Sequence, residues 1–213
     1  MTSTSFETLL YQHLTPLFQR HQFVLLPEKR QYRNLTDAGF QTVMLFPTFY
    51  DHETILDVQL GCRNDQVEQI AQQFQTSQAI SRPDANTLTA FITQFADYSS
   101  ARFSIHSEKE LLAVCDQIEQ FFVSVGFDFL TASCALPAID RLLNGQPEQL
   151  CPYVPNQMHR CYKGLIAASL NHNRHFKDLV DTYRHVFVQQ TQNSYEQIRF
   201  ERLIAFLQHY SAN

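Results

Sequence analysis

The densest set of potential metal ligands in this sequence lies between positions 151 and 185. It consists of two cysteines and four histidines: Cys151, His159, Cys161, His172, His175 and His185. Zinc binds thiolate and imidazole readily, and sites with two cysteines and two histidines are common. Structural zinc sites usually present one close cysteine pair and one close histidine pair, however, whereas Cys151 and Cys161 lie ten residues apart. The spacing therefore predicts neither a metal centre nor a cofactor. We expect these histidines near helix ends, where a positive charge suits the helix dipole.

The same segment is basic. From His159 to Arg202 there are seven Lys or Arg residues against four Asp or Glu residues, a net charge of +3. Positive charge of this kind is what a phosphate or another anionic ligand requires, although basic runs are also typical of solvated helix faces. Both interpretations stay open from the sequence. If the segment binds an anion, the candidate binding residues are Arg160, His172, Arg174 and His175.

The sequence carries no recognisable catalytic motif. It has no Gly-x-Ser-x-Gly, no glycine-rich phosphate loop and no His-Glu-x-x-His. Acidic residues and a histidine cluster around one predicted hairpin, at Asp51, His52, Glu53 and Asp57. We expect Asp51 and Glu53 to solubilise a turn, and Asp57 to point outward from a strand. No catalytic residue is therefore assigned, and the balance favours a protein that is not an enzyme.

Composition excludes several classes of protein. Of 213 residues, 44% are hydrophobic and 17% charged, and 18 Phe with 9 Tyr are enough to build a core, which excludes global disorder. The net charge is −5 and the isoelectric point is near 6.0. Neither value predicts binding to nucleic acid.

The cysteines and the lengths of the apolar runs indicate the cellular compartment of the protein. Five cysteines are spread widely along the chain, which is typical of reduced, buried thiols in a cytoplasmic protein. The segment from Met1 to Glu7 shows neither the basic nor the apolar region of a signal peptide. Every apolar run is far shorter than the roughly 20 residues that span a bilayer. We therefore expect a cytoplasmic protein without a membrane segment.

The first part of the chain predicts a helix followed by strands. Thr4 and Glu7 fit a capping box at the start of that helix, and Pro16 predicts a kink or a break around Leu14. The predicted strands are Phe23 to Leu26, Arg30 to Thr36, Phe40 to Phe46 and Leu56 to Cys62, then Thr87 to Phe95 and Ala101 to His106. The links between the first four strands are too short for parallel crossovers, so an antiparallel meander is expected. A helix capped by Asn64 or Asp65 follows the meander.

Helices dominate the rest of the sequence. Ser107 and Glu110 form a second capping box, and the apolar stripe behind it runs from Leu111 to Val125 and ends at Gly126. Further helices are predicted at about Leu130 to Leu143, Gln157 to Leu170, Phe176 to Gln189 and Tyr195 to Tyr210. The fold class is therefore α+β, an antiparallel sheet of about five strands with packed helices followed by a helical C-terminal portion. Residues 1–126 would form the α+β domain and residues 127–213 a helical subdomain.

The N-terminal quarter resembles a family of small bacterial proteins known as domains of unknown function. The resemblance covers roughly residues 6–60 and is carried by Leu14-Thr15-Pro16-Leu17-Phe18, Phe23, Tyr32-Arg33 and Gly39-Phe40-Gln41. Gln22 departs from the family pattern, in which a glycine is expected at that position. The resemblance implies a helix packed on an antiparallel sheet. It supplies no catalytic residues, and some members of the family look like interaction or toxin-immunity modules.

Two functions from different classes follow from these observations. The first is a cytoplasmic, non-catalytic binding or interaction protein of the immunity kind, whose partner is a protein and neither nucleic acid nor a membrane. The alternative is a small-molecule or phosphoester enzyme with its site between the sheet and the helical portion. A deep pocket with a perturbed titratable pair would favour the enzyme. The sequence assigns no oligomeric state.

Overall fold

The computed structural model describes residues 3–75, 83–98 and 102–210. The helices are α1 (Ser3–Arg20), α2 (Asp65–Phe74), α3 (Glu108–Phe121), α4 (Phe127–Ser133), α5 (Leu136–Asn144), α6 (Gln157–Leu170), α7 (Phe176–Gln190) and α8 (Ser194–His209). The strands are β1 (Val24–Leu26), β2 (Gln31–Thr36), β3 (Gly39–Phe49), β4 (Thr54–Asn64), β5 (Leu88–Phe91) and β6 (Phe103–Ile105). Ala101, the expected start of the last strand, lies outside the described residues. The predicted α+β class is confirmed, with an antiparallel sheet and a helical C-terminal portion.

The sheet is a meander extended by two short strands. Its order is β1-β2-β3-β4-β5, and β6 also pairs with β4. The β2–β3 hairpin closes where Thr36 pairs with Gly39, whose φ of 145° favours glycine. The β3–β4 hairpin closes through a 2.8 Å hydrogen bond from the amide of Tyr50 to the carbonyl of Glu53. These short turns leave adjacent strands no arrangement other than antiparallel.

The chain forms two compact units, and they differ from the predicted division into 1–126 and 127–213. The sheet unit comprises Met1–Gly61 and Ala90–Thr131, and the helical unit comprises Cys62–Thr89 and Ala132–Asn213. In the helical unit, α2 packs on the same core as α6 and also makes a buried ion pair with it. The Lys163 ammonium lies 2.8 Å from Glu68 Oε1, and the two residues are only 7% and 3% exposed. The apolar face of α2, with Val67, Ile70 and Ala71, is buried in the same core as α6, and this burial holds the two helices together.

The core of the sheet unit is largely aromatic. The ring of Phe18 in α1 stacks on Tyr32 of β2 at 4.3 Å and meets Phe122 edge to face at 4.9 Å. Ile118 in the middle of α3 is fully buried and belongs to the same cluster as Val58 and Phe103. The apolar stripe of α3 therefore packs in one core with residues of the strands.

The start of α1 departs from the sequence prediction. Thr4 already lies inside the helix, so it does not cap it, and its carbonyl accepts a hydrogen bond from the Thr8 hydroxyl at 2.8 Å. Glu7 instead forms an ion pair with Arg30 at 2.8 Å. Pro16 does not break the helix, which runs from Ser3 to Arg20. Buried Leu14, Leu17 and Phe18 on both sides of Pro16 hold the helix on the core.

The end of α1 has a residue in the left-handed conformation. The amide of Phe23 donates to the carbonyl of Phe18 at 2.9 Å, and that of Gln22 donates to Gln19 at 3.0 Å. This is the pattern of a Schellman cap. Gln22 has a φ of 68°, which costs a residue with a Cβ roughly 1–2 kcal/mol. It is also the position at which the family resemblance implied a glycine.

Gly126 does not end the α3 helix, contrary to the sequence prediction. A π-helical turn, Phe122–Gly126, carries α3 on into α4. A Cβ on Gly126 would lie 2.6 Å from Phe122 Cδ1 and 2.9 Å from Phe121 Cε1. The glycine is therefore required by two buried aromatic rings that pack against the helix backbone. At the other end, Ser107 caps the helix as predicted, but the Glu110 carboxylate accepts from the amide of His106 at 2.8 Å rather than from that of Ser107.

Within the described residues, no single helix has both the length and the apolar character needed to cross a membrane.

Replacing Ile118 tests the packing of α3. Ile118→Ala removes a fully buried side chain, so we expect the free energy of unfolding to fall by about 2–5 kcal/mol through lost transfer energy and a cavity. Urea unfolding followed by circular dichroism measures the loss. The control, Gln117→Ala on the exposed face, should change the free energy by less than about 0.5 kcal/mol. Equal stabilities of the two variants would contradict the packing described here.

Replacing Gln22 tests the left-handed cap of α1. Gln22→Gly removes the Cβ that is strained at a φ of 68°, and we expect the free energy of unfolding to rise by about 1 kcal/mol. The same substitution at Gln19, in the last turn of the helix, should lower it by about 1 kcal/mol. Thermal unfolding of both variants shows whether each substitution raises or lowers the free energy of unfolding. Destabilisation by Gln22→Gly would show that the position is not strained.

Candidate functional site

A buried carboxylate organises one end of the helical unit. Asp140 of α5 is 4% exposed and accepts hydrogen bonds from the side-chain amides of three asparagines. The Asn144 amide lies 2.6 Å from Oδ1, the Asn171 amide 2.7 Å from Oδ2, and the Asn173 amide 3.1 Å and 2.9 Å from the two oxygens. Asn171 and Asn173 belong to the turn between α6 and α7, so Asp140 ties that turn to α5.

This turn holds His172 in a strained conformation. The amide of Asn173 donates to the carbonyl of Ala168 at 2.9 Å, and that of His172 donates to Ser169 at 3.1 Å, which closes α6 with a Schellman cap. His172 has a φ of 52°, a value that favours glycine. Both its neighbours are bonded to Asp140, and Asn173 Oδ1 also accepts the amide of His175 at 2.9 Å. The strain persists because the surrounding hydrogen bonds fix the turn.

A groove of about 570 Å³ lies beside this turn, between the end of α6, α7 and the end of α8. Its apolar lining comprises Ala168, Leu170, Phe176, Val180 and Leu207. Its polar lining includes His172, Lys177, Asp181, Arg184 and Gln208. Leu170, Val180 and Leu207 are buried and form the floor, whereas Lys177 and Asp181 are exposed and form the rim. We call this feature the α6–α8 groove.

Two side chains in the groove lining carry a full positive charge, and they differ in their ion-pair partners. Arg184 donates to both carboxylate oxygens of Glu201 at 2.8 Å and to Asp181 at 3.5 Å. The hydrogen bonds to Glu201 raise the pKa of Arg184, so this guanidinium is charged but already neutralised. Lys177 forms no ion pair within the described part of the chain. Its ammonium group is therefore the positive charge that the rim offers to a ligand.

The predicted binding residues occupy different places in the structure. His172 lines the α6–α8 groove. Arg174 and His175 lie at the beginning of α7, outside the groove lining. Arg174 Nε donates to His175 Nε2 at 3.1 Å, and His175 Nδ1 lies 3.4 Å from Asp178. Only His172 of the four predicted residues thus contributes to the groove.

Arg160 is a buried structural residue. It is 2% exposed, and its guanidinium donates to the carbonyls of Leu143 at 2.9 Å, Gln146 at 2.7 Å and Gln149. These bonds satisfy carbonyls at and beyond the end of α5, which is where a positive charge is favoured. The donors of Arg160 are therefore committed to the backbone rather than presented to a ligand.

The sequence analysis missed Lys177 and Arg184, although a signal for them exists. Lys177, Asp181 and Arg184 are spaced at i, i+4 and i+7 on α7, so they share one helix face. Val180 lies beside them on the apolar side. A charged stripe next to an apolar one also occurs on ordinary surface helices. On α7 these two stripes line a groove only because α8 and the α6–α7 turn form the opposite walls.

The Cys/His segment offers no metal centre among residues 3–75, 83–98 and 102–210, where no group of three or more His, Cys, Asp or Glu has a suitable arrangement. All five cysteines are buried. Burial raises the pKa of Cys161 to about 12 and that of Cys115 to about 12. His159 has a lowered pKa, mainly because it is half-buried and secondarily because it lies near Lys163. Buried thiols with raised pKa values are poor nucleophiles.

Comparison of the chain with protein-family models, with curated proteins and with solved structures finds no match. The bacterial family resembled by the N-terminal segment therefore stays an expectation from the sequence.

Removing the Asp140 carboxylate tests whether it organises the groove. Asp140→Ala leaves the half-buried amides of Asn171 and Asn173 without this acceptor. It also removes one of the two acceptors of the buried Asn144 amide, so we expect the free energy of unfolding to fall by about 2–4 kcal/mol. The matched control is Asp178→Ala near the same turn, whose side chain is 82% exposed, and it should cost less than about 0.5 kcal/mol. Urea unfolding measures both, and a neutral Asp140→Ala would refute the role assigned to the carboxylate.

Proposed function

We propose that this protein is a non-catalytic binding protein whose α6–α8 groove receives an acidic, partly apolar segment of a protein partner. The observation that carries the proposal is the exposed Lys177 ammonium beside a floor of Leu170, Val180 and Leu207. An apolar anchor on the partner would displace water from the floor. A neighbouring Asp or Glu of the partner would meet Lys177 at the rim.

The open shape of the groove supports a peptide segment rather than a small metabolite. Small-molecule pockets typically bury about 70–90% of their ligand. The side chain of Asp181 is 81% exposed and Tyr210 at the end of the groove is 38% exposed, so a small ligand would stay largely in water. A segment attached to a larger partner covers the rim as well as the floor, as helices do in hydrophobic grooves.

The proposal also covers the cellular compartment and the biological role of the protein. We place the protein in a cytoplasm, where its five buried thiols would stay reduced. An immunity-type role, in which binding neutralises a toxin, is consistent with the N-terminal resemblance and with a groove suited to a protein segment. The alternative of a small-molecule or phosphoester enzyme stays a prediction from the sequence.

Reversing the rim charge tests the proposed function. Phage-displayed peptides of about 12 residues would be selected on the intact protein, and the affinity of the enriched peptides measured by fluorescence anisotropy. We expect peptides that combine acidic and apolar residues, because the groove combines Lys177 with an apolar floor. Lys177→Glu should weaken their binding about tenfold, and raising the salt concentration should weaken binding to the wild type.

The control for this experiment is a charge reversal elsewhere. Lys109→Glu changes an exposed lysine on α3 and should leave the peptide affinity unchanged. If the selected peptides bind the wild type and Lys177→Glu equally, the groove is not the binding site. If the enriched peptides lack acidic residues, the proposed ligand chemistry is wrong.

A further inference from the structure

A second concave site lies in the sheet unit, independent of the α6–α8 groove. It has a volume of about 360 Å³ and is formed by the β3–β4 turn, the start of α1 and the connection from the end of β6 to α3. The lining residues that matter here are Phe6, Phe49, Tyr50, Asp51, Glu53 and His106. We call this feature the hairpin pocket.

Aromatic rings form one wall of the hairpin pocket. Phe6 is buried and meets Phe49 edge to face at 5.6 Å and 87°. Phe49 and Tyr50 are 36% and 57% exposed, so both rings remain accessible at the end of the sheet. The hydrogen bond that closes the β3–β4 turn starts at the amide of Tyr50, which fixes the backbone that carries this ring.

Carboxylates supply the charge of the pocket. Among the described residues, its lining contains Asp51 and Glu53 and no Lys or Arg. The Glu53 carboxylate accepts the Ser104 hydroxyl, which restrains it. The neighbouring Glu110 accepts the backbone amide of His106 at 2.8 Å and lies 3.1 Å from its Nδ1. These hydrogen bonds lower the pKa of Glu110, which adds a third negative charge near the pocket.

We infer that the hairpin pocket binds a small organic ammonium ion. An aromatic face attracts a cation through its quadrupole, and the carboxylates of Asp51 and Glu53 add Coulomb attraction. A metal ion is a poorer match, because no described group of three or more His, Cys, Asp or Glu has a suitable arrangement. An alkylammonium group instead spreads its charge over methyl or methylene groups that can contact Phe49 and Tyr50.

The test compares a cation with its neutral isostere. Choline and 3,3-dimethylbutan-1-ol, in which carbon replaces the nitrogen, would each be titrated into the isotope-labelled full chain at about pH 8, where imidazole is neutral. We expect choline to shift the backbone amide resonances of residues 50–53 and 106–107 in a saturable way, with an affinity at least about tenfold above that of the alcohol.

Variants locate the binding groups. Tyr50→Ala and Asp51→Asn alter exposed side chains and should each weaken choline binding about three- to fivefold, whereas Tyr50→Phe keeps the ring and should retain the affinity. The control is Tyr195→Ala, which removes a tyrosine that is 77% exposed elsewhere. Lys177→Glu should also leave choline binding unchanged, so that failure of this inference and failure of the proposed function can be distinguished.

Three results would overturn the inference. Equal affinities for choline and the alcohol would show an apolar pocket without cation selectivity. The absence of saturable shifts up to about 100 mM choline would show that the pocket binds no ammonium ion of useful affinity. Equal losses in Tyr50→Ala and Tyr195→Ala would show that choline binds exposed aromatic rings without specificity.

Discussion

The helical unit depends on a carboxylate that has been removed from water. Burying an ionised Asp costs several kcal/mol unless hydrogen bonds replace its hydration, and three asparagine amides do so at Asp140. Two of these amides come from the α6–α7 turn, so the same bonds that stabilise the charge also fix the backbone of that turn. They stabilise the strained φ of His172, and they set the position at which α7 begins. The turn held in this way forms one wall of the α6–α8 groove.

The network continues from Asp140 into the helix interfaces. The Asn144 amide also donates to the carbonyl of Gly164 at 2.9 Å, and the Tyr183 hydroxyl lies 2.7 Å from Asn144 Oδ1. A Cβ on Gly164 would lie 2.6 Å from that oxygen, so only glycine lets α6 approach α5 this closely. Apolar side chains tolerate several helix arrangements, whereas a shared set of hydrogen bonds accepts one. The aromatic core of the sheet unit obtains its specificity differently, from the shape of interlocking rings.

The parts of the fold that were predictable depend on local periodicity. The stripe centred on Ile118 and the bounds of α6 follow from helical spacing, and the meander follows from short links. Gly126 was misread because a glycine needed for close packing and one that ends a helix look identical in sequence. Arg160 was misread for a related reason, since a basic residue near a loop shows nothing of the carbonyls that surround it after folding. Lys177 was not among the predicted binding residues, because its position at the rim of a groove depends on α8, which is distant in the sequence.

The shape and the charge of the α6–α8 groove are carried by different residues. Arg184 joins α7 to α8 through Glu201, so it maintains the width of the groove while its own charge is cancelled. Lys177 lies two turns away on the same helix face and makes no ion pair among the described residues, so its ammonium group is an unneutralised positive charge at the rim. The net charge of the chain, −5, gives no hint of this unneutralised ammonium group or of the carboxylates that line the hairpin pocket. Local charge is set by which side chains the fold leaves unneutralised, here Lys177 in the groove and Asp51 and Glu53 in the hairpin pocket, and composition does not show which these are.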